Sequence, residues 1–173
     1  LDLQQTIFEQ IDMRSFSNLW FWIALAVLWS TASHWVLGVP HDMVARARKI
    51  EGQAQVDLED VVRVNVNRLI YIVQVSGLWL LGFVCFLITG LGILGFIYDV
   101  EFAQAVFLLA FPMTILGLMS YNAALQIYHQ DLSGEPLRAR LMRHRVHTQI
   151  LGVISIFCTA LWGTYQNASF GAL

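Results

Sequence analysis

Charge is what this chain has least of. Asp, Glu, Lys and Arg make up 13% of the 173 residues against 57% hydrophobic, and mean hydropathy is +0.61. A soluble domain carries about 25% charged residues, so the composition is that of an integral membrane protein. The scarcity is uneven. From Leu69 to Tyr98 there is no Asp, Glu, Lys, Arg, His or Pro. Roughly 20 apolar helical residues cross a hydrocarbon core of about 30 Å, and this run exceeds that. The predicted spans hold no Asp, Glu, Lys or Arg at all. Proton pumps and ion-coupled transporters use such groups as their pathway, so transport coupling is argued against. Paired interrupted helices, another transporter signature, are also missing; Gly90, Gly92 and Gly95 read as close helix packing.

Other absences exclude further chemistry. The two cysteines, Cys85 and Cys158, lie inside apolar runs with no CxxC spacing and no adjacent His. They read as small buried hydrophobes rather than disulfide, metal or redox groups. There is no Gly-rich phosphate loop, nucleophile elbow or HExxH. Nucleic acid is not expected as a partner, because the basic segments are short and pinned to a membrane. No charged n-region with a cleavage site is visible in LDLQQTIFEQIDM, and insertion is expected to rely on the spans themselves.

What is present orders well. Within residues 1–17, Leu3, Ile7 and Ile11 stand near helical spacing and Asp2, Gln4, Gln5, Glu9 and Asp12 occupy much of the rest, as in an amphipathic interfacial helix. A first span is expected over about 18–39, ended by Pro40. Ala26, Ser30, His34 and Gly38 repeat every fourth residue on it, a small stripe that lets a neighbouring helix approach and turns His34 toward protein. The polar segment 40–68 carries Arg46, Arg48 and Lys49. Gly52 interrupts it, and a new helix starts near Asp57, with Glu59 and Arg63 an i,i+4 pair. No breaker separates it from the second span, 69–98, expected to be the post on which the others pack. After a tight link, a third span covers 102–128, with a kink expected at Pro112. The segment 129–145 contains a helix start at Ser133–Pro136 and then Arg138, Arg140, Arg143 and Arg145. The fourth span is 146–165, with Ser155, Thr159 and Gly163 as its packing stripe.

The expected fold is therefore all-α, a single membrane domain over 1–173. It is a four-helix bundle with an N-terminal amphipathic helix and cytoplasmic helical extensions. Nine of the ten Lys and Arg residues fall in the two polar segments, so the positive-inside rule places both in the cytoplasm and both termini outside.

Candidate chemistry is sparse. His34 is the one imidazole inside a span and could ligate a pigment; the alternative is a hydrogen bond to a neighbouring helix. His144 and His147 stand at i,i+3, with no third metal ligand nearby. Arg46, Arg48, Lys49, Arg138, Arg140, Arg143 and Arg145 read as surfaces for anionic lipid or for a partner. Arg63, Asn65, Asn67 and Arg68 occupy the place where small four-span enzymes of glutathione and eicosanoid metabolism carry Arg, Asn and Glu. The acidic residue is absent, since Leu69 to Ile72 follow. This leaves a membrane enzyme or carrier for a lipid-like or thiol substrate as the alternative.

The segments Ile11–Val44, Val66–Phe83 and Val100–Met113 resemble an alphaproteobacterial four-span inner-membrane family of Rhodobacter-like bacteria, described as a component of the SufBCD complex. The resemblance covers about two thirds of the chain and carries no catalytic motif. It implies a bacterial inner membrane and a link to iron–sulfur cluster assembly. With the missing intramembrane charge and the packing stripes, the expected role is a non-catalytic accessory or assembly subunit of an energy-converting complex, respiratory or photosynthetic. Its expected partners are other membrane subunits and anionic lipids. Phospholipid is the expected bound group, with pigment or quinone as further candidates.

Overall fold

The computed structural model describes residues 15–50 and 52–171. Among these the chain is all-α except for one small ribbon. A 3-10 turn, Ser15–Ser17, leads into α1 (Leu19–His34), then β1 (Trp35–Val36) and β2 (Val39–Pro40). Next come α2 (His41–Ile50), α3 (Gln53–Phe96), α4 (Glu101–Gln130) and α5 (Gly134–Gly171). Three helices, α3, α4 and α5, are long and apolar enough to cross a membrane. The amphipathic helix expected over 1–17 falls almost wholly outside the described residues.

The first expected span is shorter than the sequence implied. α1 has 16 residues, about 24 Å at 1.5 Å per residue. It stops at His34 because the chain turns into a hairpin, pairing Trp35 with Pro40 and Val36 with Val39. The two linking residues both take positive φ, 51° at Leu37 and 73° at Gly38, the combination two-residue hairpin turns require. Gly supplies it freely; Leu is held there by its pairing neighbours.

α3 runs unbroken for 44 residues, about 66 Å. Gly52, at φ 63°, sets its start. Its polar half presents Leu58, Val62, Val66 and Ile70, each four residues on from the last, to the largest core in the molecule. Val36 and Val39 of the ribbon, Val44 and Ala47 of α2, Ala124 and Ile127 of α4, and Leu137 and Leu141 of α5 complete that core. The two polar segments thus assemble with the end of α4 into a compact helical head. The apolar half of α3 behaves differently: its 18-residue apolar window has nothing buried, against 22% in α4 and 28% in α5.

The post is α4 rather than α3. Its Ala105 and Leu116 pack against Phe21, Leu25 and Trp29 of α1, and its far end enters the head. The helix runs on through Pro112, itself buried. α5 buries one continuous stripe whose composition changes along its length. Leu137 and Leu141 lie in the head, and Thr148, Ser155 and Thr159 follow along the apolar part. Small residues there let α1 approach. A Cβ on Gly152 would meet the Trp29 ring at 2.9 Å, and one on Gly163 would meet Phe16 and Trp22 at 3.3 Å.

Two buried polar atoms among the described residues lack a partner, Trp29 Nε1 and Ser155 Oγ. An unpaired buried hydroxyl costs about 1–3 kcal/mol. Ser155→Ala is therefore expected to hold or raise the melting temperature in mild detergent; a fall of several degrees would mean that Ser155 has a partner.

Candidate functional site

Polar side chains gather at three places. Two are clefts beside the helical head, and the third is a knot at the opposite end.

The first cleft, about 320 Å³, lies among α3, the end of α4 and the start of α5. Its floor is Val62, Val66, Ile127, Leu132 and Leu137; its rim carries Glu59, Asp60, Arg63, Asn67, Tyr128, Asp131 and Ser133. Arg63 pairs with Asp60 at 2.7 Å, both exposed. Glu59 is committed to structure. It accepts from the Gly134 backbone N–H at 2.7 Å and from Gln55 at 2.7 Å, joining α3 to the first turn of α5, where negative charge is favoured. The Gly134 N–H, then Gln55, hold its carboxyl below the usual range.

The second cleft, about 280 Å³, separates α4 from α5. Met119, Asn122 and Gln126 face it from α4, and Arg140, Arg143, His144 and His147 from α5. Both sets follow helical spacing, so two antiparallel faces oppose each other. Arg140 donates Nε–H to Gln126 Oε1 at 2.8 Å. Burial, then Arg143, pushes the Arg140 guanidinium below its ordinary pKa. His144 is buried, with Nε2 3.1 Å from Ser120 Oγ.

The knot centres on Gln104, fully buried in the first turns of α4. Its amide N–H groups reach the Gly95 carbonyl at 2.8 Å and Asp99 Oδ1 at 3.0 Å. Its oxygen accepts from Trp162 Nε1 at 3.0 Å and from Gln166. Glu101 nearby accepts the Phe16 backbone N–H at 2.7 Å. Gln104 is not among the residues that sequence reading singles out. A signal exists for it: a lone amide between Ala103 and Ala105 in an apolar run.

The residues singled out from sequence separate as follows. The seven basic residues do not form one surface. Arg46, Arg48 and Lys49 stand exposed on α2. Arg138 turns to Gln55. Arg140 and Arg143 face the second cleft. Arg145 donates to the Ser33 carbonyl at 3.2 Å, capping the end of α1. There, burial, then Arg145 and His34, lower the His41 pKa. Arg63 and Asn67 line the first cleft, whereas Asn65 donates to the Gly38 carbonyl at 3.2 Å and Arg68 is exposed.

Ser155 and Thr159 are buried on α5, as is Gly163. Ala26, Ser30, His34 and Gly38 lie elsewhere. All four are exposed within this chain; α1 instead buries its large stripe, Phe21, Leu25 and Trp29, against α4 and, at Trp29, against Gly152 of α5. His34 has the Trp35 ring edge-on at 6.0 Å. The cysteines also differ from expectation: Cys85 and Cys158 are both free and exposed. No cluster of three or more His, Cys, Asp or Glu suited to a metal occurs among the described residues.

The class this fold and these sites define is an all-α protein with three helices of membrane-crossing length and polar clefts at one end of the bundle. Comparison with protein-family models, with curated proteins and with solved structures finds no match to the chain.

Proposed function

We propose that this is a multi-pass bacterial inner-membrane protein acting as a non-catalytic accessory or assembly subunit of an energy-converting complex. One observation carries the reading: the 18-residue apolar window of α3 has no buried residue within its own chain. Its polar half is locked into a core whose Val and Leu side chains each contribute about 1.5–3 kcal/mol on burial. That core is driven by water exclusion, which does not operate between helices in lipid. The result is a rigid helix held in the head and again at Gly95, with the stretch between offered to lipid and to partner helices. Gly82 and Gly90 on it have open space where a Cβ would stand, room for close approach by another subunit.

The topology proposed is N-out and C-out, with the Arg-rich head in the cytoplasm. α1 serves as a slender fourth crossing. Phe16 packs at Gly163, Trp29 at Gly152, and Ser33 meets Arg145. That reach along α5 is about 27 Å. The resemblance to an inner-membrane family supports the location, and the exposed basic faces support contact with anionic lipid.

In mild detergent the protein is expected to co-purify with larger membrane subunits, read by native electrophoresis and mass spectrometry. Gly82→Leu combined with Gly90→Leu should abolish that association while leaving thermal stability unchanged. A protein running alone at its own mass would overturn the reading. The first cleft favours a second reading, a small enzyme or carrier of a thiol or quinone, in which Asn67 and Arg63 contact the substrate. Stoichiometric binding of glutathione or a quinone, lost in Asn67→Ala, would establish it instead.

A further inference from the structure

We propose that the cleft between α4 and α5 seats the phosphate of one anionic phospholipid, gripped by Arg140 and Arg143 with Asn122 at its side. Arg140 and Arg143 are one helical turn apart and line the same cleft. No Asp or Glu lines it, and the one ion pair among the described residues, Arg63 with Asp60, belongs to the other cleft. Arg140 is half-buried and Arg143 exposed beside it, and two like charges lining one cleft repel each other. A phosphate between them would remove the repulsion and match the planar fork of Arg, which binds phosphate oxygens in pairs. Gln126 prepares the fork. By accepting Arg140 Nε–H at 2.8 Å, it fixes the guanidinium plane and leaves the terminal nitrogens to face the cleft.

The surroundings point to a lipid rather than a free phosphate. Leu118 on α4, and Ile150 and Ile154 on α5, are 62%, 52% and 55% exposed. They continue the two cleft-facing elements away from the head, along the apolar parts of both helices. A molecule anionic at one end and apolar along its length fits that sequence of surfaces. The inference rests on the placement of the head at the inner membrane face, and needs no partner complex.

The test uses the whole purified protein in mild detergent and native mass spectrometry, with phosphatidylglycerol, phosphatidylcholine and inorganic phosphate as probes. Wild type is expected to retain one phosphatidylglycerol in preference to phosphatidylcholine. Arg140→Gln combined with Arg143→Gln should weaken retention roughly tenfold or more, the factor lost with one charge-assisted hydrogen bond. Arg46→Gln combined with Arg48→Gln, on the exposed face of α2, removes the same charge and should change retention little. Equal losses in both pairs would overturn the seat in favour of diffuse surface charge. Displacement of the lipid by inorganic phosphate would overturn the lipid as occupant. Arg140→Lys with Arg143→Lys keeps the charge without the fork, and should fall between wild type and the Gln pair. Because the readout is lipid on the isolated chain, it succeeds or fails separately from co-purification with partners.

Discussion

Gln104→Leu should lower the melting temperature of the purified protein more than any other single substitution at the end of the bundle far from the head. All four hydrogen-bonding positions of this amide are used: two N–H groups toward Gly95 and Asp99, and two acceptor sites toward Trp162 and Gln166. Leucine keeps much of the volume and removes all four bonds. The Trp162 indole N–H and the Gly95 carbonyl then lose partners in a half-buried to buried setting. An abandoned buried donor or acceptor costs about 1–3 kcal/mol, and interhelical bonds in membranes average about 0.6 kcal/mol. A total of about 2–4 kcal/mol follows, since several groups are stranded together. Gln104→Glu should also destabilise: its carboxylate can still accept from Trp162 and Gln166, but it places a charge in a buried site where it faces the Asp99 carboxylate and the Gly95 carbonyl. Thermal unfolding followed by tryptophan fluorescence reads both. A Leu variant as stable as wild type would show that the knot adds nothing to stability.

The knot also explains a glycine that sequence could only describe as packing. A Cβ on Gly95 would stand 2.9 Å from the Gln104 backbone nitrogen. α3 and α4 can close over the tight Asp99–Val100 link only because that atom is missing. Run length and charge made the long helices legible, since hydrophobic continuity is a property of the chain itself. Which faces meet was far less legible. A small-residue stripe reads the same whether it receives a neighbour or faces outward. On α5 Ser155, Thr159 and Gly163 are buried, while on α1 Ala26, Ser30 and His34 are exposed, as is Gly38 in the hairpin. The difference lies in the partner: α1 carries Phe21, Leu25 and Trp29 at every fourth position on its other side, and those large side chains occupy the space that α5 leaves.

The hairpin at Trp35–Pro40 was hidden for a related reason. Leu37 at positive φ is no turn signal, so the segment read as the end of a span. The helical head was hidden because its core draws two or four residues from each of five distant pieces of chain. No single piece carries enough apolar side chains to mark a core by itself. The clefts follow from that assembly. Arg138, Arg140, Arg143 and Arg145 look like one basic run, but helical geometry sends them to α3, the α4–α5 cleft and the end of α1.

Gly152→Leu is expected to detach α1. This helix buries Phe21, Leu25 and Trp29, and Trp29 rests on Gly152 so closely that even a methyl group would stand 2.9 Å from its ring. Neither side can yield cheaply. Gly152 is backbone of α5, and Trp29, 4% exposed, is held by its neighbours on α4. Overpacking of this kind costs about 1–3 kcal/mol, and more where backbone must move. A 16-residue helix has few other contacts to compensate. The chain is therefore expected to keep its head and its α3–α4 pair while α1 loosens. Leu25→Cys serves as the reporter, in a background where the exposed Cys85 and Cys158 are replaced by Ala. Its thiol should resist maleimide when Gly152 is intact and react when Gly152→Leu is added. Trp29→Leu alone should destabilise by leaving a cavity, yet in combination with Gly152→Leu it should recover part of the lost stability, since the smaller side chain vacates the space the new one enters. That negative coupling is the signature of direct contact. Strict additivity of the two substitutions, or a reporter thiol that stays unreactive in the Gly152→Leu protein, would mean that α1 is held by something other than the Trp29–Gly152 contact.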